Sequence, residues 1–163
     1  MPDLIEQYKQ LHKEGKFTGY SLIPHAPAIT KLVQNHKATS LLDWGCGKGQ
    51  QYHIARAHAA WGFMPKLYDP AVGGISRKPV GKYDGVICTD VAEHVPEEDV
   101  PAFLTELVAH AKKFLFISVC TRPAKKNLPD GRNCHLCVKP EKWWLNQISA
   151  LKAEIEIEVA WNE

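Results

Sequence analysis

The sequence predicts an α/β fold, a doubly wound and mostly parallel sheet with helices on both faces. Short apolar runs of strand length alternate with segments whose apolar residues recur every three to four positions. The runs at 39–43, 85–89 and 114–119 are largely continuous in apolar character, which is typical of strands buried on both faces of a parallel sheet. The 163 residues, 45% of them hydrophobic, suffice for a single domain.

The predicted elements follow one another in a simple order. They are a helix over 4–12 that ends before Gly15, a helix over 25–37, a strand over 39–43, a helix over 50–60, strands over 66–69 and 85–89, a helix over 100–111, a strand over 114–119, a long loop, a helix opened by Pro140, and a strand over 155–161. The last strand alternates apolar and acidic residues, so we expect an exposed edge strand, and an antiparallel direction is left open.

Bulk properties narrow the class of protein. No apolar run is long enough to cross a membrane, and the start of the chain lacks a basic and then apolar signal, so we expect a cytoplasmic protein. The net charge of +2 does not indicate a nucleic-acid partner. Five cysteines are expected to stay reduced. Cys134 and Cys137 have the spacing of half a zinc site, but no second pair exists, and Cys120 and His135 would complete the site only by coincidence, so the sequence predicts no metal.

The most informative segment is 43–49, Asp-Trp-Gly-Cys-Gly-Lys-Gly, between a predicted strand and a predicted helix. It does not match a phosphate-binding P-loop, because Lys48 is followed by glycine rather than Ser or Thr. It does not match the dinucleotide fingerprint either, because the sixth position from Gly45 is Gln50. The turn would lie at the carboxyl ends of the strands, where ligands bind in doubly wound sheets.

Residues 39–120 resemble class I S-adenosylmethionine (SAM)-dependent methyltransferases. Three segments carry this resemblance and follow one another in the order that the family has: the glycine turn, 67–69 (Leu-Tyr-Asp) and 83–95. The resemblance implies a Rossmann-like fold, SAM as cofactor and transfer of its methyl group. It implies that Asp69 binds the ribose hydroxyls and that Asp43 orients the turn or meets the cofactor's ammonium group. The residues expected to contact the cofactor are Asp43, Trp44, Gly45, Cys46, Gly47, Gly49, Asp69, Pro70, Thr89, Asp90 and Val91. We expect one domain, with 1–38 as a helical cover and 39–163 as the cofactor-binding core.

The sequence departs from the family pattern in one place. Between Asp69 and Tyr83 the family normally has a helix, a strand and another helix, and here there is room for a short strand at most, over 75–80. The chain also ends on one terminal strand where the family usually has two. We therefore expect an abbreviated sheet of about five or six strands with an open adenine side.

Candidates for the acceptor end follow the fourth and fifth strands. Asp90, His94 and His135 are the candidate catalytic groups, since each could take a proton from an acceptor. The alternatives are that His94 is only a pocket wall and that the loop around His135 is only a mobile flap. Arg132, Asn133 and His135 are the expected substrate-binding residues. Residues 122–142 hold six basic and two acidic side chains, which favours an anionic metabolite, although a solvated basic loop is equally consistent.

The leading hypothesis is methyl transfer to a small, anionic metabolite. The alternatives are a SAM-using enzyme of other chemistry, a catalytically idle domain that serves a partner, and a nucleic-acid or protein methyltransferase. Nucleic acid is disfavoured by the low net charge and by the sequence Thr-Asp-Val-Ala at 89–92, where such enzymes carry an Asn/Asp-Pro-Pro-aromatic segment. No membrane partner is expected, and a second subunit of a homo-oligomer could help to close the pocket.

Overall fold

The computed structural model describes residues 3–162, and its centre is a sheet of five parallel strands. The elements are α1 (Leu4–Lys13), α2 (Ala26–Asn35), β1 (Leu41–Trp44), α3 (Gln50–His53), β2 (Lys66–Tyr68), β3 (Tyr83–Thr89), α4 (Val100–His110), β4 (Ala111–Cys120), α5 (Glu141–Ala150) and β5 (Glu156–Asn162). Short 3₁₀ turns lie at Ile23–His25, Ala92–His94 and Glu97–Asp99. The predicted α/β, Rossmann-like class is confirmed.

The strand order β2-β1-β3-β4-β5 determines where a ligand can bind. The chain moves outward from β1 to β2 and then returns to the other side of β1, so the order reverses between β1 and β3. In open α/β sheets, ligands bind at such a reversal, beyond the carboxyl ends of the strands. Trp44 pairs with Tyr68, so the glycine turn and Asp69 leave the sheet at the same level.

The two faces of the sheet are covered separately because alternate strand residues point to opposite sides. On one face, Val86 and Leu115 pack in a cluster with Leu104 of α4 and Trp144 of α5. On the other face, a second cluster is built on α2. Its fully or nearly fully buried members include Ile29, Leu32, Leu41, Ile87, Phe114 and Phe116. Two independent apolar layers on one sheet are the doubly wound arrangement that the sequence predicts.

The structure decides two points that the sequence left open, the direction of β5 and the number of strands, and it corrects the length of one predicted helix. β5 is an edge strand, as predicted, but it runs parallel to β4, because α5 carries the chain back across the sheet before β5 begins. No strand forms over 75–80, so the described chain has five strands. The predicted helix over 50–60 is only α3, and turns follow it up to Trp61, whose indole N–H donates to Thr30 Oγ1 at 2.9 Å.

Among residues 3–162, no helix is both long and apolar enough to span a membrane.

A first prediction concerns Gly85, which lies within β3. A Cβ added at this position would lie 2.2 Å from Phe114 Cζ and 2.7 Å from Leu41 Cδ2. We therefore expect Gly85→Ala to lower the free energy of unfolding by about 1–3 kcal/mol, because the buried ring has to shift. Urea unfolding measures the difference. Gly73→Ala is the matched control, since no described atom lies within 4 Å of its added Cβ; equal stability of the two variants would contradict the prediction.

Candidate active site

A cavity of about 910 Å³ lies at the carboxyl ends of β1, β2, β3 and β4. The residues that follow these strands form its floor and sides. α1 and residues 17–21 contribute a further wall from the N-terminal part of the chain. Its volume is within the range of about 300–1,000 Å³ that is typical of small-molecule sites. The cavity is therefore where the strand order predicts a ligand.

The glycine turn passes close against Val91, two residues beyond the end of β3. Gly45 has a φ of 79°, and a Cβ added there would lie 2.4 Å from Val91 Cγ2, so only glycine fits without displacing the neighbour. Its backbone N–H donates to the Tyr68 carbonyl at 2.7 Å. The result is a stretch of bare backbone at the floor of the cavity.

Asp69 ties the glycine turn to the end of β2. Its Oδ2 accepts the backbone N–H of Gly47 at 2.9 Å, and its Oδ1 accepts that of Ala71 at 2.9 Å. The carboxylate lines the cavity, and His12 Nε2 lies 4.0 Å from Oδ2. A carboxylate offers about four lone-pair positions, so each oxygen can accept a further hydrogen bond from a ligand.

Asp43 lies behind the turn rather than on the cavity wall. It is fully buried, and its Oδ2 accepts hydrogen bonds from Gln51 Nε2 at 2.8 Å and from the Tyr52 hydroxyl at 2.7 Å. Its Oδ1 has no hydrogen-bond partner within the described residues. Burial raises the pKa of this carboxyl to about 7. This geometry connects the end of β1 to the start of α3 and so positions the turn between them. Gly49 also lies behind the turn, at the N-terminus of α3.

The residues after β3 are fixed by neighbouring strands. Asp90 has a φ of 54°, and its Oδ1 accepts hydrogen bonds from Ser118 Oγ at 2.9 Å and from Asn162 Nδ2. Thr89, the last residue of β3, contacts the N-terminal part of the chain instead, since its Oγ1 lies 2.9 Å from Ser21 Oγ. Nine of the expected cofactor residues line the cavity: Trp44, Gly45, Cys46, Gly47, Asp69, Pro70, Thr89, Asp90 and Val91.

His94 and His135 meet at the other end of the cavity. Their rings are edge to face, with centroids 4.9 Å apart. Nδ1 of His94 lies 2.8 Å from the Cys134 carbonyl, and Nδ1 of His135 lies 2.6 Å from the Arg122 carbonyl. Burial lowers the pKa of His94 to about 4 and also lowers the pKa of His135. Both imidazoles are therefore neutral near pH 7, each with Nδ1–H donating to a carbonyl.

Glu93 is a buried acid beside these histidines. Its Oε1 accepts the backbone N–H of Cys120 at 3.1 Å, and its backbone carbonyl accepts the N–H of Cys137 at 2.9 Å. Burial, and then the charge of Asp90, raise the pKa of its carboxyl to about 8.

Arg132 and Asn133 are absent from the described cavity wall. The guanidinium of Arg132 donates to Asp130 Oδ2 through Nε at 3.0 Å and Nη2 at 2.8 Å. The Asn133 side chain bonds both backbone groups of Ala124 at 2.9 Å and so holds the loop together. The basic residues that do line the cavity are Arg122, Lys125 and Lys126.

Sequence reasoning missed the contribution of the N-terminal segment. Tyr8, His12 and Phe17 line the cavity, and the Tyr8 hydroxyl donates to the Cys134 carbonyl at 2.9 Å. Lys126 Nζ lies 5.1 Å from the centre of the Phe17 ring and also contacts the Lys16 carbonyl. Tyr8 and His12 belong to the apolar stripe of α1, and a helical stripe alone does not distinguish a core contact from a cavity wall.

The comparison with protein families matches residues 14–155 to the family described as methyltransferase domain. The chain belongs to this family. It is thus a class I SAM-dependent methyltransferase, as the three motifs predict. Neither the curated proteins nor the solved structures give a match. The family generally uses SAM, so the cavity in this methyltransferase has an expected cofactor.

A second prediction follows from the buried Asp43. In the unfolded chain the Asp43 carboxyl loses its proton near about pH 4. In the native state its pKa is about 7, so the carboxyl stays protonated between these two pH values. The stability that this protonation provides is complete below about pH 4 and is lost as the pH rises through about 7. In the protein without ligand, we expect Asp43 to contribute a fall in the free energy of unfolding of roughly 2–3 kcal/mol between about pH 5 and pH 8.

Urea unfolding of the wild type and of Asp43→Asn at both pH values measures this contribution. Glu93 and His94 also titrate, but they do so in both proteins, so the difference between the two pH dependences isolates Asp43. The charged neighbour Asp69 is likewise present in both. The same pH dependence in both proteins would show that Asp43 is ionised in the native state throughout this range.

Proposed function

We propose that this methyltransferase binds SAM over the glycine turn and Asp69 and transfers the methyl group to a small, anionic metabolite. The observation that supports this proposal is the separation of charge along the cavity. Asp69 and Asp90 line it beyond β2 and β3, whereas Arg122, Lys125 and Lys126 line it beyond β4. Glu93 also lines the acceptor end, but burial raises its pKa to about 8, so it carries little charge near pH 7. The acidic end of the cavity suits the cationic cofactor, and the basic end suits an anionic acceptor.

The cofactor end suits SAM in three respects. The turn at Gly45 and Gly47 presents backbone with positive φ and no side chain. Asp69 is held by two backbone N–H groups and retains acceptor positions for ribose hydroxyls. The carboxylates favour the positive sulfonium electrostatically. When bound, SAM supplies a methyl carbon that its sulfonium has already activated.

At the acceptor end, the protein's part is to position the acceptor, to exclude water and to take a proton when the acceptor carries one. His94 is placed for the last role, because its Nδ1–H donates to the Cys134 carbonyl and its Nε2 carries the lone pair. Its pKa of about 4 makes it a weak base, so this role fits an acceptor whose own proton is acidic. Asp90 suits a positioning role, because Ser118 and Asn162 already occupy its Oδ1. His135 lies on the wall beside Arg122, and the net positive loop attracts an anion.

A third prediction tests the cofactor site. We expect Asp69→Asn to weaken binding of SAM and of its demethylated product by more than about tenfold, because the hydrogen bonds to the ribose lose their charge. Calorimetric titration measures the affinity. Asp99→Asn, an exposed carboxylate at the start of α4, is the matched control. Unchanged affinity in a folded Asp69→Asn protein would exclude this binding mode.

A fourth prediction tests the acceptor class. Wild-type enzyme incubated with methyl-labelled SAM and an extract of the source organism should label the small-molecule fraction. With the labelled compound as substrate, we expect Arg122→Gln with Lys125→Gln to raise the acceptor KM more than about tenfold and to leave SAM affinity unchanged. Arg132→Gln is the control, because its guanidinium is paired with Asp130 outside the cavity. Label found only in protein or nucleic acid would contradict the small-molecule proposal.

A further inference from the structure

Three side chains of different chemistry converge at the acceptor end of the cavity. A carboxylate oxygen of Glu93, Sγ of Cys120 and a ring nitrogen of His135 all lie within 4.8 Å of one another. The residues come from the turn after β3, the last position of β4 and the loop that follows it. All three line the cavity.

The Glu93 side chain lacks a full set of partners. It is completely buried, and although its Oε1 accepts the Cys120 N–H, its Oε2 has no hydrogen-bond partner among residues 3–162. A buried polar oxygen without a partner is unfavourable by roughly 2–7 kcal/mol unless a donor or a cation satisfies it. The other two members of the cluster, a thiol and an imidazole, are both side chains that bind metals.

The orientation of His135 also fits a ligand role. Its Nδ1 lies 2.6 Å from the Arg122 carbonyl, which fixes the proton on Nδ1 and leaves the lone pair on Nε2. Metal-binding histidines usually donate their other ring N–H to a carbonyl or carboxylate in this manner. The Cys120 backbone N–H meanwhile donates to Glu93 Oε1, so one oxygen of the carboxylate is held by the protein.

We propose that Glu93, Cys120 and His135 bind a Zn²⁺ ion at the acceptor end of the cavity. Carboxylate, thiolate and imidazole ligands suit Zn²⁺, whereas the thiolate disfavours Mg²⁺ and Ca²⁺. On binding, Glu93 and Cys120 release their protons to solvent, and the resulting carboxylate and thiolate balance the charge of the ion in this buried place. Three protein ligands leave the fourth tetrahedral position for water or for an acceptor group from the cavity, as in catalytic zinc sites.

This site differs from the one that the sequence suggested and rejected. The Cys134–Cys137 pair takes no part in it: Cys134 packs in a small apolar cluster with Leu11 and Leu128, and Cys137 belongs to the core beside α5. The ligands are instead 27 and 15 residues apart along the chain, so no short spacing motif reveals them. The inference goes beyond methyl transfer, because zinc binding does not require SAM.

The test uses the full chain, stripped of metal with a chelator and kept reduced, with no SAM present. Co²⁺ is the spectroscopic substitute for Zn²⁺. We expect one equivalent of Co²⁺ to produce a thiolate-to-cobalt charge-transfer band, and one equivalent of Zn²⁺ to abolish it. His135→Ala and Cys120→Ala should each weaken metal binding by more than about tenfold and remove or reduce this band. Zn²⁺ should also raise the thermal midpoint of the wild type.

Cys134→Ala is the matched control, because it removes a buried cysteine from the same loop without touching the three ligands. It should keep the band and the affinity. If Cys120→Ala does not fold, His135→Ala carries the test, since His135 is only partly buried on a loop. No charge-transfer band in the wild type, or an equal loss of affinity in Cys134→Ala, would overturn the proposal. SAM binding is measured separately, so either proposal can fail without the other.

Discussion

The common direction of the five strands is the constraint from which the site of this methyltransferase follows. When every strand is parallel, the loops at the carboxyl ends all leave the sheet at one edge, and each helix must return the chain to the opposite edge. The glycine turn, Asp69, Asp90 and Cys120 are thereby brought together although they span residues 43–120 of the sequence. In the described chain, β2 and β3 are connected by residues 69–82, which form neither a helix nor a strand.

Close packing then fixes the backbone of the loops at this edge of the sheet. Gly45 meets Val91 with no room for a Cβ, and Asp69 fixes the turn through the Gly47 N–H. Asp43 acts one layer deeper, where Gln51 and Tyr52 hold it against the start of α3. Hydrogen bonds to buried side chains thus hold the turn on the side away from the cavity. On the side that faces the cavity, its glycines present backbone without side chains. Such an arrangement is preorganised, so a ligand does not have to order the loop when it binds.

The sequence predicted the elements that depend on local pattern and missed those that depend on long-range contacts. The glycine turn and the apolar strands each carry a short, recognisable signal, so their positions were predictable. The alternation in β5 indicates exposure on one face but carries no information on strand direction, which α5 decides. Arg132 and Arg122 look alike in sequence. Only the structure shows that Arg132 pairs with Asp130 and that Arg122 lines the cavity.

The contact between α1 and the loop after β4 has a consequence for turnover. Leu11, Leu128 and Cys134 form a small apolar cluster of their own, separate from the two clusters that cover the sheet. A region with so few buried apolar contacts opens at a lower free energy than the core. The two segments can therefore part while the sheet remains folded, once the hydrogen bonds from Tyr8 to the Cys134 carbonyl and from the Asp130 N–H to Gln7 are broken. If spent cofactor leaves through this opening, the frequency of the opening is an upper limit on the number of catalytic cycles per second.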